Sequence, residues 1–83
     1  MVIRSQDKTV FINFDNAQII RIFEMEDGSA DIDVFTIGRG FETIGSYKNK
    51  EIAMSVLDKF QLEYIYSMNV ATSSVYQMPP DEV

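Results

Sequence analysis

The chain has 83 residues, of which 46% are hydrophobic and 12% aromatic, and its formal net charge is −6. A chain of this length forms one small domain with a thin core, and domains of this size often complete their apolar burial by self-association. Histidine and cysteine are absent, which excludes disulfide bonds, the usual zinc ligands and nucleophile pairs that contain either residue. The acidic balance argues against binding nucleic acid directly through a basic face.

The sequence contains no apolar run near the roughly 20 residues that a membrane-spanning helix needs. Met1-Val2-Ile3-Arg4 leads directly into a polar turn, which is unlike a signal peptide. We therefore expect a soluble cytoplasmic protein with one domain over residues 1–83 and no membrane partner. No spacing pairs the remaining carboxylates, lysines, tyrosines or serines for catalysis, so we expect neither a cofactor nor an enzyme.

Two short strands are predicted at the N-terminus, over residues 2–6 and 9–14, around a turn at Asp7-Lys8. Pairing through a two-residue loop sets the register of these strands. The expected partners are Ile3 with Ile12, Arg4 with Phe11, and Ser5 with Val10.

The clearest hairpin joins strands over residues 18–26 and 30–37, because Asp27-Gly28 is a strong type I′ turn signal. That turn pairs Arg21 with Val34 and Phe23 with Ile32. The hairpin is then apolar on both sides at its base and acidic at its tip. A single helix covers one side, so we expect a second copy of the protein to cover the other, in a homo-oligomer.

A further strand is predicted over residues 41–47, after the turn Gly38-Arg39-Gly40. The segment of about 49–68 has apolar residues at the spacing of an amphipathic helix, with Asn49 as its N-cap.

A polar connection over residues 69–74 leads to a short extended C-terminal segment at 75–78. This segment adds to a sheet edge, either in its own subunit or in a neighbour. The predicted fold is α+β, a small antiparallel meander of four to five strands with the helix packed on one face.

Arginine and aromatic residues are the candidates for ligand binding, with arginines on phosphate and aromatic rings on a base. The backbone of Gly38-Arg39-Gly40 can form an anion-binding nest beside Phe41, although a tight turn uses the same residues. The arginines on the predicted strands either extend into solvent or reach a ligand between subunits. The candidate ligand-binding residues are Arg4, Arg21, Arg39, Phe41, Tyr47 and Tyr76.

The central hairpin concentrates five carboxylates within ten residues: Glu24, Glu26, Asp27, Asp31 and Asp33. Carboxylates at alternating strand positions can bind Ca²⁺ or Mg²⁺, or imitate a phosphate backbone. A solvated hairpin tip that discourages aggregation has the same composition. The sequence leaves these alternatives open.

Three short motifs resemble a group of small proteins encoded by phages and prophages of Gram-positive bacteria. They are Ser5-Gln6-Asp7, Gly45-x-Tyr47 followed by Glu51-x-Ala53-x-x-Val56-Leu57, and Val75-Tyr76-Gln77-Met78-Pro79. The resemblance implies a phage protein, and small phage proteins often inhibit host defence by stoichiometric binding.

Two functions fit that context. One is sequestration of a nucleotide immune signal, of the cyclic dinucleotide or ADP-ribose type, by a homo-oligomer with its pocket between subunits. The alternative is an acidic inhibitor that binds a host defence protein, as some anti-CRISPR proteins do. A structural or regulatory phage protein is a third hypothesis.

Overall fold

The computed structural model describes residues 1–69 and 75–81, and these form an α+β fold with two three-stranded sheets and one helix. In chain order the elements are β1 (Val2–Arg4), β2 (Phe11–Asn13), β3 (Ala17–Glu24), β4 (Ala30–Thr36), β5 (Gly40–Tyr47), α1 (Lys50–Asn69) and β6 (Val75–Gln77). A 3₁₀ turn, Phe14–Asn16, separates β2 from β3. The predicted α+β class is confirmed. Most of the predicted polar connection falls on residues 70–74, which lie outside the described residues.

The prediction of a single meander of four to five strands is wrong. The first sheet has the order β2-β1-β6, and the second has the order β3-β4-β5. The 3₁₀ turn lies between the two sheets. Asn13 caps this turn, because its side-chain oxygen accepts a hydrogen bond from Asp15 N at 3.0 Å. β6 pairs in parallel with β1 of its own chain. The meander is interrupted because β2 and β3 lie in different sheets, and the C-terminal segment adds to the edge of β1 that is not paired with β2.

The predicted register of the N-terminal hairpin is confirmed. Ile3 pairs with Ile12 and Arg4 pairs with Phe11, while Ser5 N donates to Val10 O at 2.8 Å. The strands are shorter than predicted because residues 6–9 form the loop.

The β3–β4 hairpin has a five-residue loop, Met25 to Ser29, instead of the predicted two-residue turn. Met25 N donates to Ser29 O at 2.8 Å, and Gly28 N donates to Met25 O at 3.0 Å. Asp27 stabilises this loop because its carboxylate accepts hydrogen bonds from Ser29 N at 2.9 Å and Ser29 Oγ at 2.6 Å. Gly28 has a φ of 92°, which favours glycine.

This loop shifts the pairing of β3 with β4 by one residue, so the predicted register is wrong. A shift of one residue in a strand pair exchanges the partners on both faces of the sheet. The observed pairs are Arg21 with Asp33, Phe23 with Asp31, and Glu24 with Ala30, in place of Arg21 with Val34 and Phe23 with Ile32.

The helix packs on one face of the second sheet and completes the core. The predicted N-cap is confirmed, since Asn49 Oδ1 accepts a hydrogen bond from Ile52 N at 2.9 Å. Ile65 and Met68, which the predicted apolar stripe included, are exposed in the last turns. The buried apolar residues are Ile3, Ile12, Ala30, Ile32, Val34, Ile44, Tyr47, Ala53, Val56, Phe60 and Met78.

Gln6 connects the two sheets through both its backbone and its side chain. Gln6 N donates to Ile44 O at 2.7 Å. The side-chain amide pairs with the backbone of Ser46, accepting from Ser46 N at 2.8 Å and donating to Ser46 O at 3.0 Å. The same amide nitrogen donates to Pro79 O at 3.3 Å. This junction around Gln6 therefore joins β5, the first sheet and the C-terminal segment.

We expect Gln6→Ala to lower the free energy of unfolding by about 2 kcal/mol, because three side-chain hydrogen bonds of roughly 0.5–1.5 kcal/mol each are lost. Urea denaturation measures the change. Gln61→Ala, on the exposed surface of α1, is the matched control and should change the free energy by less than about 0.5 kcal/mol. Equal effects of the two substitutions would contradict the role of Gln6.

The β1–β2 loop predicts a specific pH dependence. Hydrogen bonds from Ser5 Oγ, Thr9 Oγ1 and Thr9 N lower the pKa of Asp7 from 3.8 to about 2. A pKa that is lower in the folded state gives stability above about pH 4 that is lost as the pH falls toward 2. The free energy of unfolding of Asp7→Asn should therefore fall less steeply than that of the parent between pH 4 and 2. If the free energy of unfolding, measured by urea denaturation, falls equally steeply with pH in both proteins, Asp7 is not the source of this pH dependence.

Candidate functional site

The six candidate residues occupy three separate parts of the fold and do not form one site within a single chain. Arg39 lines a cleft between the two sheets, and Arg4 contacts Phe11 in the wall of that cleft. Arg21 and Phe41 meet on the second sheet. Tyr47 and Tyr76 lie near the C-terminal segment, where they contribute to packing.

The cleft between the sheets has a volume of about 570 Å³. Its walls come from β2, the 3₁₀ turn, the start of β3, and the turn between β4 and β5. Apolar contributions include the exposed side chains of Phe11 and Ile37. The polar side chains in its lining are Asn13, Asp15, Asn16, Gln18, Thr36, Arg39 and Glu42. This mixture of amides, charges and one aromatic ring can bind a polar ligand that has a planar group.

Arg39 enters the cleft from a tight turn in which Gly38 and Gly40 have φ values of 89° and 76°. Its backbone N–H donates to Thr36 O at 3.3 Å, so that N–H is engaged within the turn and does not contribute to the predicted anion nest. The guanidinium contacts Glu42 Oε1 at 2.6 Å, and the Arg39 side chain is 63% exposed. The exposed guanidinium is thus the group that can meet an anion in this cleft.

Phe11 is a wall residue that the sequence analysis did not select as a site residue. Its side chain is 57% exposed on β2, and the Arg4 guanidinium lies 5.1 Å from the centre of its ring. Arg4 Nε also donates to Lys8 O at 3.3 Å. The predicted pairing of Arg4 with Phe11 was the signal that could have identified this pair, since both side chains point to one face.

Arg21 forms a compact cluster on the face of the second sheet that the helix does not cover. Its guanidinium lies 3.7 Å from the ring centre of Phe41 and 5.4 Å from that of Phe23. Arg21 Nε is 3.6 Å from Asp33 Oδ2, and Asp33 also accepts a hydrogen bond from Thr43 Oγ1 at 2.8 Å. Asp33 is only 8% exposed. Arg21 is therefore held in place by an aromatic ring and a buried carboxylate.

Tyr47 is a core residue, with 1% of its surface exposed. Its hydroxyl donates to Pro79 O at 2.8 Å, and burial raises the pKa of Tyr47 well above its ordinary value. Gly45 leaves room for the ring, because an added Cβ there would lie 2.8 Å from Tyr47 Cε2.

Tyr76 is partly buried and packs edge to face on Phe60, with ring centres 5.3 Å apart. Burial, with a smaller contribution from the Glu63 charge, raises the pKa of Tyr76. It also lines a second groove of about 380 Å³ beside the start of α1. This groove is separated from the cleft at Arg39 by the core.

The five carboxylates of the central hairpin do not form a uniform acidic face. Asp33 contacts Arg21, and Asp31 accepts a hydrogen bond from Ser46 Oγ at 2.8 Å. Hydrogen bonds from Ser29 lower the pKa of Asp27. Over residues 1–69 and 75–81, no group of three acidic side chains is placed to bind a metal ion.

The chain matches no family model, no curated protein and no solved structure with which it was compared. In the described part of the chain, no helix is both long and apolar enough to cross a bilayer.

We expect Tyr47→Phe to lower the free energy of unfolding by about 1 kcal/mol, because it removes one buried hydrogen bond to Pro79. Tyr66→Phe is the matched control, since Tyr66 is 65% exposed, and it should leave stability unchanged. Thermal and urea unfolding of both variants measure the difference. If Tyr47→Phe is as stable as the parent, the hydroxyl does not hold the C-terminal segment.

Proposed function

We propose that this protein is a phage-encoded counter-defence protein that binds and sequesters a nucleotide signal in the cleft between its sheets. The observation that carries the proposal is the presence of an exposed guanidinium, an exposed aromatic ring and several side-chain amides around one cleft. Its volume of about 570 Å³ lies within the roughly 300–1,000 Å³ typical of small-molecule sites.

Each part of a nucleotide has a matching group in the cleft. The Arg39 guanidinium can bind phosphate through two parallel hydrogen bonds. The Phe11 ring offers a stacking surface for a base, an interaction worth roughly 1–3 kcal/mol. The amides of Asn16 and Gln18 can donate to and accept from base edges or ribose hydroxyls.

The charges around the cleft limit which anion can enter. The whole chain carries a net charge of −6, and Glu42 already pairs with Arg39. A phosphate must therefore compete with Glu42 for the same guanidinium. This competition favours ligands that gain additional energy from stacking and hydrogen bonding, such as cyclic dinucleotides or ADP-ribose derivatives, over inorganic phosphate.

The phage context comes from the resemblance of the three sequence motifs. A chain without histidine or cysteine lacks the commonest catalytic bases and nucleophiles, which favours stoichiometric binding over turnover. The proposed site of action is the cytoplasm of the host cell, where the signal is made, and the proposed acting form is a homo-oligomer.

The alternative function, an acidic inhibitor of a host defence protein, has weaker support. It requires the hairpin carboxylates to face a basic partner together. Three of them, Asp27, Asp31 and Asp33, are engaged with serine or arginine side chains of their own chain. The serine hydrogen bonds leave Asp27 and Asp31 charged, but Arg21 neutralises Asp33. Glu24, which pairs with buried Ala30, lies on the opposite face of the sheet from Asp31.

The test is a thermal-shift screen of the full chain against cyclic dinucleotides and ADP-ribose derivatives, with affinities measured by calorimetry. A ligand at about 100 times its dissociation constant stabilises the folded state by about 2.7 kcal/mol. We expect compounds of one of these two nucleotide classes to raise the melting temperature of the protein. Arg39→Ala and Phe11→Ala should each weaken the binding of those compounds at least about tenfold.

Arg21→Ala is the matched control, because Arg21 lies outside the cleft, and it should bind the ligand as the parent does. If none of the compounds raises the melting temperature, the proposed function is contradicted. If Arg39→Ala binds the ligand as tightly as the parent does, the cleft is not the binding site. If only Arg21→Ala loses binding, the binding site lies on the second sheet.

A further inference from the structure

The second sheet has a large apolar face that points away from the helix. We define the outer face as the side chains of Ile19, Arg21, Phe23, Phe35 and Phe41, contributed by all three strands. Ile19 and Phe23 are each 48% exposed, and Phe41 is 41% exposed. Phe35 packs edge to face on Phe41, with ring centres 5.0 Å apart. We propose that the outer face packs against the same face of a second copy, in a two-fold symmetric dimer.

The outer face has mainly apolar side chains around one internal ion pair, which suits a similar apolar face of a second copy. Arg21 is its only cation, and Asp33 and the Phe41 ring already neutralise and cover it. Two such faces can therefore meet while each Arg21 stays paired with Asp33 of its own copy. Asp31 also lies on this side of the sheet, opposite Phe23. Its carboxylate accepts a hydrogen bond from Ser46 Oγ at 2.8 Å and is partly exposed.

The area of the outer face is sufficient for a specific dimer. The three strands have seven or eight residues each. With a strand spacing of about 4.8 Å and a rise of about 3.3 Å per residue, the sheet measures roughly 14 by 25 Å. Two such faces cover roughly 700 Å² in flat projection, and their projecting side chains bring the buried area toward about 1,000 Å², the lower limit for a specific but weak interface. The thin core of an 83-residue chain adds a reason for this burial.

The outer face and the nucleotide cleft use different residues, so the dimer does not depend on the proposed ligand. The second sheet and its β4–β5 turn line the cleft with six residues, none of which belongs to the outer face: Ala17, Gln18, Thr36, Ile37, Arg39 and Glu42. Arg39→Ala should therefore leave the dimer intact. A variant that cannot dimerise should still bind nucleotide as a monomer.

The experiment is sedimentation velocity of the full chain over a range of concentrations, with the parent expected at twice the chain mass of 9.5 kDa. Phe23→Lys adds a charge from each copy to the apolar interface and should weaken dimerisation at least 100-fold. Ile19→Lys repeats the test at a second exposed position. Leu62→Lys is the matched control, because Leu62 is 69% exposed on the helix, which covers the other side of the sheet.

Circular dichroism identifies which variants are folded, and at least one of the two outer-face variants must be folded for the comparison. A folded monomer with Phe23→Lys or Ile19→Lys, and a dimer with Leu62→Lys, supports the proposal. A parent that remains monomeric at about 100 μM overturns it. A dimer that survives both outer-face substitutions, or that dissociates with Leu62→Lys, also overturns it.

Discussion

The hydrogen bonds of the Gln6 side chain are the constraint on which the arrangement of the two sheets depends. A primary amide donates and accepts as a peptide group does, so Gln6 extends the edge of β5 by bonding to the backbone of Ser46. The same side chain reaches Pro79, and the buried Tyr47 hydroxyl reaches the same carbonyl. The sheets are joined at this end of β5, and the cleft lies at its other end, near Glu42.

The three sequence motifs on which the proposed phage context rests meet largely at this junction. Gln6, Tyr47 and Pro79 belong to three different motifs and are connected by hydrogen bonds. These motifs therefore belong to the scaffold of the domain. Arg39 and Phe11, on which the proposed nucleotide site depends, lie outside these motifs. The phage context and the choice of ligand are consequently separate arguments, and the ligand depends on the cleft alone.

The two surfaces of interest differ in physical character, which is why we assign them to different partners. The cleft combines amides, exposed charge and one ring, a combination that suits a small polar ligand. The outer face presents aromatic and aliphatic side chains around an arginine that is already neutralised. Burying such a face against a flat, similar surface costs little desolvation of charge and removes apolar area from water.

Local patterns in the sequence determined the helix, its Asn49 cap, the strands of the second sheet and the register of the first hairpin. Each depends on residues close together in the chain, where spacing and turn chemistry act directly. Arg21 and Phe41 were candidate ligand residues, but their contact depends on the β3–β4 register, which a five-residue loop shifted by one position. Only the tertiary structure decided that β2 and β3 lie in different sheets with the cleft between them, and that β6 pairs with β1. The pairing of β1 with a segment some 70 residues away depends on long-range packing and on the Gln6 junction, and no local periodicity encodes it.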